Sequence, residues 1–250
     1  MEKVLYEELT PQEFRERIAA CPIAYLPLGT LEWHGEHLPL GADGIQSRGF
    51  FTALAKRVGG IVLPMLFMGP DGRTETENGA LYGMEPWTGE KQTGKKIREP
   101  AQLAGSAYWL PDESFLELVG CIFKQLQRAG FKVAAAHGHG PSTAIVAKHA
   151  QKWREEYGLA VVNCWGSEYD GEGMGIQVDH AGANETSLTM ALRPELVQMD
   201  RLSQDPEQWP AAVSGQDPRR YASKEKGEKI IELNLDRMAQ ILTDILRADR

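Results

Sequence analysis

Basic charge is in short supply: 27 lysines and arginines face 35 aspartates and glutamates, for a formal net charge of −8. No segment gathers enough of them to grip a phosphate backbone or an anionic bilayer, so nucleic acid and membranes are poor partners and a small molecule is the expected one. Cysteine is scarce too. Cys21, Cys121 and Cys164 are odd in number, widely spaced and set in apolar surroundings, which argues against a disulfide framework or a thiolate zinc site and for reduced, buried thiols. Long apolar runs are missing: no stretch approaches the roughly 20 residues needed to cross a bilayer. The opening MEKVLYEELTPQEF lacks the apolar core and cleavage site of a secretory signal, so the expected location is the cytoplasm. A Gly-x-Ser-x-Gly elbow is absent, as are the Gly-x-Gly-x-x-Gly and phosphate-loop signatures, which leaves a serine hydrolase or a nucleotide cofactor with little support. No internal repeat or low-complexity segment is found.

What is there suits one globular domain over residues 1–250. Hydrophobic residues make up 42% and charged ones 25%, enough for a sizeable core. Thr10 before Pro11 predicts a short helix over 11–20, leading into the apolar run Ile23 to Leu28, which reads as a buried strand. Residues 29–43 have no steady period, whereas 44–58 recover helical spacing. Ile61 to Met68 reads as a second strand. Residues 69–112 form a long polar stretch interleaved with Tyr82, Trp87, Tyr108 and Trp109, read as a lid or an oligomer contact. A helix over 113–129, ended by Gly130, precedes a third strand from Phe131 to Ala136, and Ser142 is placed to cap the next helix, to Tyr157. Leu159 to Trp165 is a fourth strand, a helix starts near Asn184, and 224–247 has the spacing of an amphipathic helix. Strands alternating with helices predict an α/β fold whose mostly parallel sheet is flanked by helices on both faces, with ligands gathered beyond the carboxyl ends of the strands.

Five of the six histidines, at 34, 37, 137, 139 and 180, fall in three glycine-containing segments that each follow a predicted strand. These segments bring Glu32, Glu36, Asp43 and Glu185 with them. Imidazoles and carboxylates together suit zinc, manganese or iron. Glu32 and His34 are one residue apart, so in an extended segment their side chains point the same way. Asp43, at a helix start, also reads as an N-cap, and Glu185 as a first-turn residue that favours the helix dipole.

Residues 28–43, LGTLEWHGEHLPLGAD, 136–142, AHGHGPS, and 179–187, DHAGANETS, occur in the order of three signature segments of the creatininase (creatinine amidohydrolase) family, and the first resembles the family's opening signature almost residue for residue. The resemblance spans about residues 20–192. It implies a creatininase-like α/β fold, homo-oligomers (hexamers in the family), and a site for two divalent ions. In that site Glu32 and His139 hold one ion, His34 the other, and Asp43 bridges them. Water activated between the ions attacks a carbonyl carbon, and His180 shuttles a proton to the leaving group. The chain also departs from the family pattern. Pro141 stands where a glutamate completes the second ion's shell, and Glu185 is the candidate replacement. His137 stands in place of an asparagine; together with His37 and Trp165 it is assigned to orienting ligands or contacting substrate.

These departures point away from creatinine itself. The expected reaction is opening of a small polar cyclic amide or cleavage of a formamide at its C–N bond. The alternative is hydrolytic C–C opening of an inositol-derived cyclic ketone, for which Asp71, Arg73, Thr74, Glu75, Glu77 and Asn78 offer groups that hydrogen-bond hydroxyls; the same residues also read as a solvated loop. A non-catalytic metabolite-binding protein would require lost ligands, and the main four are present.

Overall fold

The computed structural model describes residues 3–77, 79–82 and 108–248. Thr10 and Pro11 start the first helix as their chemistry dictates. Thr10 Oγ1 accepts from the Glu13 backbone N–H at 3.3 Å, and the Glu13 carboxylate accepts from the Thr10 N–H at 2.7 Å. This capping box opens α1 (Pro11–Ala20). The strand β1 (Ile23–Leu28) follows, buried at every residue, then α2 (Ala42–Val58) and the two-residue β2 (Ile61–Val62). Next come an antiparallel hairpin, β3 (Arg73–Thr76) and β4 (Gly79–Tyr82), and the helix α3 (Asp112–Ala129), which stops at Gly130 in the left-handed conformation. The strand β5 (Val133–Gly138), α4 (Gly140–Tyr157), β6 (Ala160–Val162) and the short α5 (Ser167–Gly171) lead to α6 (Ala183–Leu192), α7 (Pro218–Tyr221) and the long α8 (Lys224–Ala248).

The main sheet has the order β2-β1-β5-β6 and is parallel throughout. Alternation along β5 divides the core in two. Val133 and Ala135 pack with Phe50, Phe51 and Leu54 of α2 and with Ile230, Met238 and Leu242 of α8. Ala134 and Ala136 point the other way, into Phe115, Val119 and Phe123 of α3 and Val146 and Trp153 of α4. Helices therefore cover both faces, as the near-continuous apolar strands require. Among the described residues no helix is long and apolar enough to cross a membrane.

At the carboxyl edge, β1 and β5 converge. Leu28 pairs with Gly138, and a Cβ built on Gly138, whose φ is 148°, would lie 1.7 Å from the Leu28 carbonyl oxygen. Only glycine permits that approach. It brings His139, whose N–H donates to Leu28 O at 3.3 Å, against the loop that leaves β1.

Several expectations are corrected. The second strand does not run to Met68: after Val62 only an isolated bridge between Leu28 and Leu66 remains, because Pro64 lacks a ladder donor. The third strand begins at Val133 and carries His137 and Gly138 within it, and the fourth is confined to Ala160–Val162. Ser142 does not cap its helix. His139 holds the N-cap position, and Pro141, in the first turn where an N–H is dispensable, lies inside the helix. Asp43 is not a cap either, since Gly41 stands there. Of the cysteines only Cys164 is buried; Cys121 is exposed. The stretch from 69 to 112 is closed at its ends, with Gly69 N–H donating to Tyr108 O and Leu110 N–H to Gly69 O, and it contains the β3–β4 hairpin. Trp87 and the rest of the lid expectation between 83 and 107 lie outside the described residues, as does Asn78.

Candidate metal centre

The loop after β1 supplies Glu32 and His34, the first turn of α2 supplies Asp43, the residue after β5 is His139, and the segment entering α6 brings His180 and Glu185. All meet at the carboxyl edge of the sheet, and all but His34, which lies behind them, line a cavity of about 200 Å³. Asp43 sits between two imidazoles: its Oδ1 is 3.3 Å from His34 Nε2 and its Oδ2 is 2.9 Å from His139 Nδ1. Glu32 Oε1 stands 3.0 Å from His139 Nδ1, and Glu185 Oε2 3.5 Å from His34 Nε2. Two groups able to hold an ion thus share one wall, His34–Asp43–Glu185 and Glu32–Asp71–His139, and Glu32, His34 and His180 form a third set.

The electrostatics of this wall are extreme because nearly all of it is dry. Burial pushes the Glu32 carboxyl up to about 7, against the pull of His139. Glu185 is pushed up by burial and by the nearby charge of Asp43. Burial would raise Asp43 too, but His34 and His139 hold it well below the usual carboxylate range. Conversely, burial disfavours charge on His34, yet Asp43, Glu32 and Glu185 carry it up to about 10. Several carboxylates this close, all desolvated, repel one another unless cations intervene. Two buried acceptors in the cavity wall, Asp71 Oδ2 and Gln177 Oε1, also have no hydrogen-bond partner among the described residues. Acceptor oxygens and imidazoles without enough donors are what divalent cations satisfy, so the residues fit the metal pair that the sequence motifs imply.

The supporting contacts are orderly. His139 Nε2–H donates to Pro70 O at 3.1 Å, which leaves Nδ1 free to face Glu32 and Asp43, a carbonyl-fixed tautomer typical of metal-site histidines. Gln177 donates its amide N–H to Asp43 O at 3.0 Å. Asp179 accepts from the backbone N–H groups of Asn184 and Glu185 at 2.9 and 3.1 Å, capping α6 and aiming Glu185. Gln177 and Ala181 flank this turn in the left-handed region, with φ of 55° and 52°, a strained conformation for side chains bearing a Cβ.

His180 stacks on His34 with ring centroids 4.5 Å apart. Its Nε2–H donates to Trp33 O at 2.9 Å, and its Nδ1 faces Glu32 Oε1 at 4.0 Å. A third of its side chain is exposed, far more than its neighbours, and burial with the His34 charge lowers its pKa to about 4. Neither His37, His137 nor Trp165 lines the cavity. His37 Nε2–H donates to Thr186 Oγ1 at 2.9 Å. His137 donates to Ile176 O and accepts from Cys164 N–H, at 3.1 and 3.3 Å, so both ring nitrogens serve backbone, and Trp165 sits edge-on to it. Glu36 and Glu77 are exposed. Sequence reasoning missed Gln177 and the part Asp179 plays. The second was findable, as an acid five residues before a helix-starting asparagine; nothing in the sequence marks the first.

Comparison with known proteins gives a consistent result. The family described as Creatininase (creatinine amidohydrolase) matches residues 7–83 and 94–242. A creatinine amidohydrolase of Pseudomonas putida is 26% identical over 274 aligned residues, covering 96% of each chain. A crystal structure of creatinine amidohydrolase superposes with a TM-score of 0.69 at 24% identity, over 98% of both chains. A variant creatininase of zinc–zinc type gives 0.70 at 23% identity over 98% of both chains, and one described as creatininase Mn gives 0.68 at 24% over 97% of this chain and 98% of its own. These likenesses establish the fold.

Proposed function

The chain belongs to the creatininase family, and from that premise we propose that it is a dinuclear metal-dependent amidohydrolase that breaks the C–N bond of a small polar cyclic amide or formamide. The observation that carries the reading is the position of Asp43, whose two oxygens face two different imidazoles at 3.3 and 2.9 Å. In this reading Glu32 and His139 hold one ion, His34 and Glu185 the other, and Asp43 both. Glu185 takes the place that Pro141, with no donor atom, cannot fill. Zinc and manganese are the metals named for the structural relatives. Two such cations would supply Lewis acidity toward a carbonyl oxygen and lower the pKa of a water.

His180 carries the proton. Donation from its Nε2–H to Trp33 O leaves the Nδ1 lone pair facing the cavity, and the lowered pKa keeps the ring neutral and ready to accept at neutral pH. Glu32 and Asp43 stay ionised as ligands. Among the described residues lining the cavity there is no lysine or arginine, which favours a substrate uncharged or cationic at its scissile end. Residues 139 to 141, at the start of α4, also line the cavity.

The test is metal content per subunit by elemental analysis of gently purified protein, followed by turnover on cyclic amides, formamides and inositol-derived ketones. About two ions and C–N cleavage are expected. Turnover of the ketones alone would move the reaction to C–C hydrolysis, and a chain that stays metal-free after incubation with zinc, manganese and ferrous iron would overturn the mechanism. The reading extends to a homo-oligomer, hexameric by family resemblance, to be checked by sedimentation.

A further inference from the structure

Asp71 is not among the ligands that the sequence motifs supply, yet it is sealed into the same wall. Its side chain is 1% exposed. Its Oδ1 accepts the Gly72 N–H at 2.6 Å and lies 3.8 Å from His139 Nε2, while its Oδ2 is buried with no partner among the described residues. An ionised carboxylate with one oxygen desolvated and unpaired is unfavourable, and burial raises its pKa. Ligand atoms of Asp71, Glu32 and His139 fall within 4.8 Å of one another. Asp179, another carboxylate of the wall, has both oxygens engaged by backbone N–H groups of α6; Asp71 has one oxygen to spare. Its neighbour Pro70 fixes the His139 tautomer through its carbonyl oxygen. One dipeptide thus orients a ligand and presents a carboxylate beside it.

We propose that Asp71 is a further ligand of the ion held by Glu32 and His139, so that the segment leading into the β3–β4 hairpin is fastened to the metal centre. The inference rests on the dinuclear reading above. It gives the pair four carboxylates, Glu32, Asp43, Asp71 and Glu185, whose combined charge matches two divalent cations.

The test uses the full chain and its Asp71→Asn variant, which keeps the acceptor for Gly72 N–H. Both are loaded with zinc or manganese, and each ion's affinity is measured by competition with a chelator. Parent protein is expected to hold two ions. The variant should hold one as tightly and the other about 10- to 100-fold more weakly, with a metal-free melting temperature no lower than the parent's. Independently of any variant, loading the parent should protect the backbone amides of residues 69–77 from hydrogen exchange. Parent affinities for both ions in Asp71→Asn, even with slower turnover, would overturn the inference and make Asp71 a substrate contact. Unprotected amides in 69–77 on loading would overturn it as well. If the parent itself binds fewer than two ions, the dinuclear reading fails first, which is a distinguishable result.

Discussion

At the scale of single residues, the site works by confining charges that solvent no longer screens. Asp43 is the residue on which the others depend, because both imidazoles reach for it. Asp43→Ala is expected to remove at least one ion per subunit and nearly all turnover; elemental analysis showing two ions in the variant would contradict the bridging role. His180→Gln should behave differently. Metal content should persist while kcat falls about 10²- to 10⁴-fold, the range for losing a proton-transfer group, and equal rates would remove His180 from the mechanism. His37, which does not line the cavity, permits a test of pH dependence. It is 1% exposed, and burial, together with the charge of His34, lowers its pKa to about 4 from an ordinary 6.5. The unfolded chain therefore binds more protons between those values, so this contribution is fully present above pH 6.5 and is lost as pH falls towards 4. It amounts to at most about 3 kcal/mol. In metal-free thermal melts, His37→Gln should lose less stability than the parent between pH 6.5 and 4.5; parallel curves would show that His37 does not titrate this way.

At the scale of elements, the parallel sheet was legible because its strands are nearly all apolar, and the helices because their periods and caps agree. What misled was proline and glycine used for position rather than punctuation. Pro64 cuts β2 to two residues, and with Pro141 in its first turn α4 opens at Gly140, two residues before its apparent serine cap, since a first-turn proline loses no hydrogen bond. Gly138 looks like a loop residue in the sequence and is the last residue of β5. It lets the β5 edge press against Leu28, where a methyl group has no room. Gly138→Ala should therefore cost at least about 3 kcal/mol, beyond an ordinary core substitution, read from denaturant melts. A loss under about 1 kcal/mol would mean that the β1–β5 edge can spread without harm to the fold.

At the scale of the whole molecule, the three motif segments are far apart in the chain, and the sheet order β2-β1-β5-β6 is what makes them neighbours. Glu32, His34, Asp43, His139, His180 and Glu185 were legible because each sits in a patterned segment. Asp71 was legible only as a polar loop residue that could meet substrate, and Gln177 not at all, since neither lies in a segment whose period or cap announces it. In the proposed reading, ligands drawn from the exits of β1 and β5 and from the first turns of α2 and α6 would make a metal pair a tie between elements. Bound cations would also relieve the repulsion that burial concentrates among the carboxylates. Metal at about 100 times its dissociation constant adds about 2.7 kcal/mol per site, and for a chain of this length that is about 5–10 °C in melting temperature. Chelation should lower the melting temperature by at least that much, and zinc or manganese should restore it. A melting temperature that does not move when elemental analysis proves the ions gone would mean that the carboxylates are accommodated by proton uptake alone, carried by those whose pKa burial raises, Glu32, Asp71, Asp179 and Glu185.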